Sequence, residues 1–481
     1  MKNKALLITV LLSLCNGLIS ASARAAVIPV GPGATTYTDC SAATINSAIS
    51  SAVDGDAVLL TCTGAVTWTS TVSIPSTKGI TLKVQGGTNI PKTSASFPLI
   101  VTAANGVQAL SVSIGPNNSV TRVSGFRFGP NSGSPDPFMS FSGQGTGKNG
   151  LGSFRLDNNY FDTISGVEIV EIYSKNGTMY GLIDNNTFHD DWRASDPAYG
   201  PYNIQLWRDW HSSNSSCWGC DGWTNNDFSY GSANFTFVED NLFEQTATAP
   251  AHMRHYISSE LGDRYVSRHN TFINNYPDNN ADLHDAHGMC LVASNGAGSR
   301  GGEIYANVIQ GTGYNRAMQL RGGSWLVYDN TITPSGGNSI EFDEYRAGDS
   351  SMYSQCSSSA SALSPIMPPW PVPAGAQWNP NATWTPHAAA DGSNWPLPQQ
   401  IFNTYAWNNL TPGGVLINPA VLNHGTGDVE ATYIQKNRDY FASATQPAAL
   451  TSYTPYTYPH PLRGSTVTSV TPPAGLRATV Q

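Results

Sequence analysis

The chain has 481 residues, of which only 12% are charged, and its formal net charge is −9. That length suffices for a large hydrophobic core, as one extended domain or two compact ones. The acidic balance argues against nucleic acid or an anionic membrane as a general partner, while leaving room for a local cationic cleft.

Lys2 and Lys4 precede an apolar run from Ala5 to Leu14, and small residues follow around Ala21–Ala25. This predicts an export signal over residues 1–25, because the run is too short to span a bilayer. The expectation is a secreted or periplasmic protein with no membrane segment. Six cysteines then remain: Cys40, Cys62, Cys217, Cys220, Cys290 and Cys356. An even number in an exported chain favours disulfides. Cys217-Trp-Gly-Cys220 reads as a local structural bridge.

Next comes "SAATINSAISSAVDGD" (Ser41–Asp56), with Ile45, Ala48, Ile49 and Ala52 at helical spacing and an Asp-Gly-Asp turn at its end. Strand-like runs follow ("AVLLT", "STVSI", "GITLKVQG"). A short amphipathic helix there would cover an otherwise exposed sheet end. Cys40 and Cys62 flank it, so a bridge pinning this cap is expected.

The middle of the chain carries a repeat. "LDNNYF" at Leu156, "IDNNTF" at Ile183, "VEDNLF" at Val238, "IYANVI" at Ile304 and "VYDNTI" at Val327 share one pattern, with "SRHNTF" at Ser267 a variant. The repeat asparagines are Asn159, Asn186, Asn241, Asn270, Asn307 and Asn330, spaced by 27, 55, 29, 37 and 23 residues. The longest spacing holds either a degenerate extra rung or a long insertion. Short strands at a period of about 25 residues predict the stacked coils of a parallel β-helix, whose inward Ile, Val and Phe form a continuous column. Asparagine suits such a turn because it tolerates left-handed backbone and can bond to its copy in the next coil. A sandwich or propeller with coincidental Asn-x-Phe turns is the competing arrangement.

The cap helix, the strand–Gly–strand opening and the "DNNTF" coils resemble the pectate-lyase-like superfamily of right-handed parallel β-helices, over roughly residues 40–345. The resemblance implies an all-β fold with an N-terminal capping helix. It also implies a carbohydrate-active protein, since the superfamily holds polysaccharide lyases, glycoside hydrolases, uronan epimerases and non-catalytic binding proteins. The expected division is signal 1–25, β-helix 26–350 and a loop-rich C-terminal extension 351–481 folded back over the helix. That extension opens with the Ser/Pro-rich "SSSASALSPIMPPWPVPAG" and carries Trp370, Trp378, Trp384, Trp395 and Trp407, either sugar platforms or simple packing. The chain is expected to act as a monomer.

Ionisable groups concentrate late in the repeats. Five of ten histidines (His252, His255, His269, His284, His287) fall within 36 residues, and no lysine lies between Lys175 and Lys436. Proton work there falls to His, Arg or Tyr. Aligning "YNIQLW" from Tyr202, "HYISSE" from His255, "HGMCLV" from His287, "RAMQLR" from Arg316 and "NSIEFD" from Asn338 predicts two outward columns. One is His255, His287, Arg316, and the other is Glu260, Val292, Arg321, Asp343. Cys290 and Glu341 would point outward between them, with Cys290 near Cys356.

These columns suit β-elimination on an acidic, uronic-acid polysaccharide. Its transition state needs the substrate carboxylate neutralised and a base of near-neutral pKa. His255 and His287 are the candidate base and acid, with Arg316, Arg321 and Arg268 as neutralisers and Glu260 beside them. Tyr256 or Tyr265 could protonate the leaving oxygen, and Arg254, Arg264, His284, Asp285, Glu341 and Asp343 complete the substrate-binding set. Hydrolysis is the runner-up, through a carboxyl pair drawn from Glu260, Asp285, Glu341 and Asp343. A non-catalytic glycan-binding face is the third reading, and a polar ladder that merely solvates one face is the plainest. "DLHD" (Asp282–Asp285) is similar to the Asp-Pro-His-Asp/Glu motif of mannuronan epimerases, with Leu283 in place of proline. Calcium would find oxygen ligands in "FDEYRAGD" or "YPDNNADLHD", though neither has a known calcium-loop spacing.

Overall fold

Each sequence repeat is one coil of three short strands. The computed structural model describes residues 25–190 apart from short loop stretches, then 202–207, 229–245, 255–260, 262–275, 281–287, 299–342 apart from 312 and 336, 401–422 and 434–464. Among these residues the strands form three parallel sheets of twelve, nine and ten strands, named A, B and C, wound as a right-handed parallel β-helix. A central coil runs through Thr236–Glu239 in sheet A, Leu242–Gln245 in sheet B and His255–Glu260 in sheet C, then re-enters sheet A at Arg264–Arg268.

The asparagine of each repeat sits in the tight corner from sheet A to sheet B. The Asn159 amide donates to Asn186 Oδ1 at 3.0 Å, Asn186 to Asn241 at 3.0 Å, and Asn241 to Asn270 at 3.1 Å. The row continues through Asn307 and Asn330 to Asn409. The left-handed position is the residue before it: Asn158, Asn185, Asp240, His269, Ala306, Asp329 and Asn408 have φ between 49° and 57°. The turn thus divides two jobs that the sequence reading gave to one residue. Two positions after each asparagine a side chain faces inward. Phe161, Phe188, Phe243 and Phe272 stack there, with successive centroids 4.7, 4.9 and 4.8 Å apart. The 55-residue spacing is an insertion, because Gly181–Asp184 pairs directly with Thr236–Glu239.

The helix Ala42–Ser51 caps the first coils, burying Ala42, Ile45, Ala48 and Ile49. Ser41 is its N-cap, accepting from the Thr44 N–H at 3.3 Å. Cys40 and Cys62 are bridged, as expected from their position. Cys217, Cys220, Cys290 and Cys356 lie outside the described residues. Among the described residues no helix is long and apolar enough to cross a membrane.

The stack continues past residue 350. Thr404–Trp407 and Tyr440–Ser443 add two strands to sheet A, and Ala420–Val421 adds one to sheet C. Trp407 stacks on Tyr328, with centroids 4.2 Å apart and planes within 2°, so it extends an aromatic ladder and is no sugar platform. The other four C-terminal tryptophans of the sequence reading lie outside the described residues. The segment ending at Leu462 then runs back along the outer face of sheet A. There Leu450, Tyr453, Tyr456 and Leu462 pack on Phe237, Tyr328 and Trp407.

Candidate functional site on the outer face of sheet C

Register places the site. His255–Glu260 pairs with Ala281–Ala286, not with the segment starting at His287: His255 faces Asp282, Ile257 faces His284, and Ser258 faces Asp285. In the following coil Asp282 pairs with Arg316, Asp285 with Gln319, and Ala286 with Leu320. The backbone bond from the His287 N–H to Ser259 O sets His287 beside Glu260, and the bond from the Arg321 N–H to Ala286 O sets Arg321 beside His287. The outward columns are therefore Tyr202, His255, Asp282, Arg316 and Gln205, Ser258, Asp285, Gln319, Glu341. A third runs Trp207, Glu260, His287, Arg321. A turn at Gly262, with φ of 77°, ends the Glu260 strand and is closed by the Asp263 N–H donating to Glu260 O at 3.2 Å.

Asp285 is the centre. Its Oδ2 lies 3.2 Å from His255 Nε2 and 3.1 Å from His287 Nε2. Arg321 grips the same carboxylate, Nε donating to Oδ1 at 3.1 Å and Nη2 to Oδ2. His255 Nδ1 is 3.8 Å from Asp282 Oδ2. Arg316 bridges Asp282, at 3.2 Å, and Glu341, at 2.9 Å. The Tyr202 ring stacks on His255 with centroids 4.9 Å apart and planes within 6°, and the two imidazoles meet edge to face at 5.2 Å. All of these groups lie on one shallow, mostly buried strip.

Burial decides the carboxyl electrostatics. Glu260, which accepts from Gln205 Nε2 at 2.9 Å, is pushed up to about 8 by burial and by the Asp285 charge, against the pull of Arg321. It therefore carries its proton at neutral pH. Burial also pushes Asp282 up, with Arg316 opposing. Further along the same face Glu168, in register with Tyr202, is pushed up by burial and by Glu171 and Asp136 beside it. Two buried polar atoms of the central column, Gln205 Oε1 and Ser258 Oγ, have no hydrogen-bond partner.

Several expected site residues lie elsewhere. His284 points into the core: Ser267 Oγ is 2.9 Å from its Nε2, Ala317 O is 3.1 Å from its Nδ1, and burial pushes its pKa down to about 4. It is a satisfied, neutral core histidine, so the resemblance to the epimerase motif breaks at its histidine. Tyr256 packs between Phe243 and Phe272, and Tyr265 against Trp325; both are fully buried in the core, away from the outer face, and burial drives both phenols well above their usual range. Arg264 is buried at the start of a sheet-A strand. Arg268 lies on the outer face of sheet A, paired with Glu239 and donating to Tyr456 O and Thr457 O of the C-terminal segment. Arg254 and Asp343 lie outside the described residues, as do Val292, all of "FDEYRAGD" after Phe342 and the first half of "YPDNNADLHD", the two loops considered for calcium.

His255, His287, Asp285, Arg316, Arg321, Glu260 and Glu341 do come together. Sequence reasoning left out Asp282, Tyr202 and Gln205. Tyr202 and Gln205 stood in the aligned strand before His255, and extending each column back by one coil would have found them. The residues able to hold a metal ion are His255, Asp285 and His287, whose ligand atoms all lie within 4.8 Å of one another.

No family model matches the sequence, and no curated protein matches it. Among solved structures the chain is similar to the crystal structure of alginate lyase from Paenibacillus sp. str. FPU-7, at 13% identity and a TM-score of 0.30, covering 65% of this chain and 97% of that one. What this chain has in its own right is a parallel β-helix with a His–Asp–His–Arg cluster on one sheet.

Proposed function

We propose that the protein is a secreted or periplasmic polysaccharide lyase that cleaves an acidic, uronate-containing chain by β-elimination on the outer face of sheet C. The observation carrying this reading is that two imidazole Nε2 atoms converge within 3.2 Å on one Asp285 oxygen held by Arg321. A carboxylate so placed stabilises whichever ring becomes cationic. One imidazole takes the proton from the carbon next to the uronate carboxylate. The electron pair forms the carbon–carbon double bond as the glycosidic C–O bond breaks. The neighbouring ring, or the Tyr202 hydroxyl, returns a proton to the leaving oxygen. Glu260, protonated at neutral pH, donates a hydrogen bond to the substrate carboxylate as enolate charge develops, and Arg316 and Arg321 keep the local potential from becoming strongly negative.

Hydrolysis stands as the second reading, on one observation: a carboxyl held up to about 8, as Glu260 is, has the protonation of a general acid. The test is incubation of the full chain with a panel of acidic polysaccharides while following ultraviolet absorbance and reducing ends together. The expected result is rising absorbance from an unsaturated uronate product. New reducing ends without that absorbance overturn elimination in favour of hydrolysis. Silence in both, with binding retained, leaves a glycan-binding or epimerising face.

A further inference from the structure

We propose that His255, Asp285 and His287 form a binding site for a borderline-soft divalent cation of the zinc type, and that the ion switches off the proton-transfer function of the same groups. The inference rests on the reading above only for its inhibitory half. Its binding half stands on three features of the cluster.

The first is spacing. Tetrahedral zinc with bonds of about 2.0–2.1 Å places its ligand atoms about 3.3 Å apart. Asp285 Oδ2 is 3.2 Å from His255 Nε2 and 3.1 Å from His287 Nε2, and one ligand atom from each of the three residues lies within 4.8 Å of the other two, so two of the three separations already match. The donor set, two imidazoles and one carboxylate, suits zinc and its neighbours rather than calcium, which takes six to eight oxygens.

The second is the outer support. A metal-bound imidazole characteristically offers its other ring nitrogen to a carboxylate. His255 has a carboxylate on that side, Asp282 Oδ2 at 3.8 Å from Nδ1, which must close by several tenths of an ångström to accept from it, and Arg316 holds Asp282 in turn. The third is a polar group left over beside the cluster: Ser258 Oγ, fully buried and without a hydrogen-bond partner among the described residues, sits in register with Asp285 one coil away.

One group opposes the ion. Arg321 donates to the same carboxylate, so an entering cation meets a guanidinium and affinity is moderate. That suits a reversible inhibitor better than a permanent structural zinc. A carboxylate against Nε2 favours the proton there and leaves Nδ1 to accept another, whereas an ion on Nε2 moves each neutral ring's proton to Nδ1, so the two states exclude each other.

The experiment is calorimetric titration of the full chain with zinc chloride and, separately, with calcium chloride, without any polysaccharide. One equivalent of zinc is expected to bind, with no saturable heat from calcium, and His255→Gln or His287→Gln is expected to weaken zinc binding at least tenfold. No saturable zinc binding, or binding untouched by both substitutions, overturns the site. As a check independent of variant folding, cobalt added to the unsubstituted chain is expected to give the strong visible bands of tetrahedral coordination. Weak octahedral bands count against it. Zinc is also expected to suppress elimination over the concentration range in which it binds, and undiminished turnover at saturating zinc overturns the inhibitory half. Zinc binding in a protein that performs no elimination leaves the metal site standing and removes the catalytic reading. Elimination without zinc binding does the reverse.

Discussion

Sheets A and C carry the same chemistry on their outer faces and use it differently. On sheet A, Arg155 pairs with Asp184 and Arg268 with Glu239, one coil apart, and the C-terminal segment lies over both pairs. Arg463 of that segment adds contacts to Asp184 and Glu239, and the His460 N–H donates to Glu239 at 3.0 Å. Charges become cement there, because returning backbone meets each pair with carbonyls and N–H groups. On sheet C two imidazoles and a guanidinium converge on one carboxylate oxygen of Asp285, and the aromatic neighbour, Tyr202, lies flat on the His255 ring. On sheet A the returning segment thus makes the ionisable ladder structural, whereas the function proposed above assigns the ladder of sheet C to chemistry.

The largest effect that would sharpen this contrast is on turnover. His287→Gln and His255→Gln are each expected to lower kcat by about 10²–10⁴, the usual contribution of a positioned acid or base. Their urea midpoints should stay close to that of the unsubstituted chain, because Asp285 keeps its bond to Arg321. A large stability loss with little change in kcat would place these histidines with the cement of sheet A.

The converse substitution is Arg268→Met on sheet A. Glu239, fully buried, would lose its main partner, and breaking such a pair typically costs about 3–5 kcal/mol. Urea unfolding should record that loss while turnover per folded molecule stays the same. Adding Glu239→Leu should recover only part of it, since Arg463 and His460 also lean on that carboxylate. A fall in kcat with stability intact would return Arg268 to the active centre.

Arg268 also marks where sequence stops being sufficient. The Asn-x-Phe repeat was readable because every coil poses the same local problem: an amide must bond to its copy and a ring must fill the column behind it. The cap helix and its disulfide were readable for a similarly local reason. Which face of the helix the C-terminal residues would cover is a long-range fact, and nothing near "SRHNTF" announces it. The sheet-C register failed for a different reason. "HGMCLV" has apolar residues at the inward positions, whereas the true strand, "ADLHDA", puts His284 there, and a core histidine satisfied by Ser267 and Ala317 has no apolar signature. The error moved His287 by two columns and hid Asp282. It left the membership of the cluster mostly right, because neighbouring columns are close enough for long side chains to meet.

The smallest expected effect probes the cover on sheet A through pH. His460 is buried, and burial together with Arg268, Arg155 and Arg463 holds its pKa down to about 3. Its Nδ1 accepts the Leu462 N–H at 3.1 Å, so the neutral ring caps the turn that carries Leu462 and Arg463. An unfolded histidine titrates near 6.5, so between that pH and about 3 the unfolded chain binds a proton that the folded one refuses. The stability is present above 6.5 and falls as the pH drops, by about 1 kcal/mol over the first unit and about 1.4 kcal/mol per unit below that. His460→Asn keeps an acceptor at the cap position but removes the titration. Its unfolding free energy is expected to fall less steeply than that of the unsubstituted chain over this range. A residual slope should persist, because His284 titrates in the same direction from the core with its pKa held near 4. Identical slopes in the two proteins would mean that the C-terminal cover is already loose when His460 takes up its proton. The ion pairs of sheet A would then hold without it.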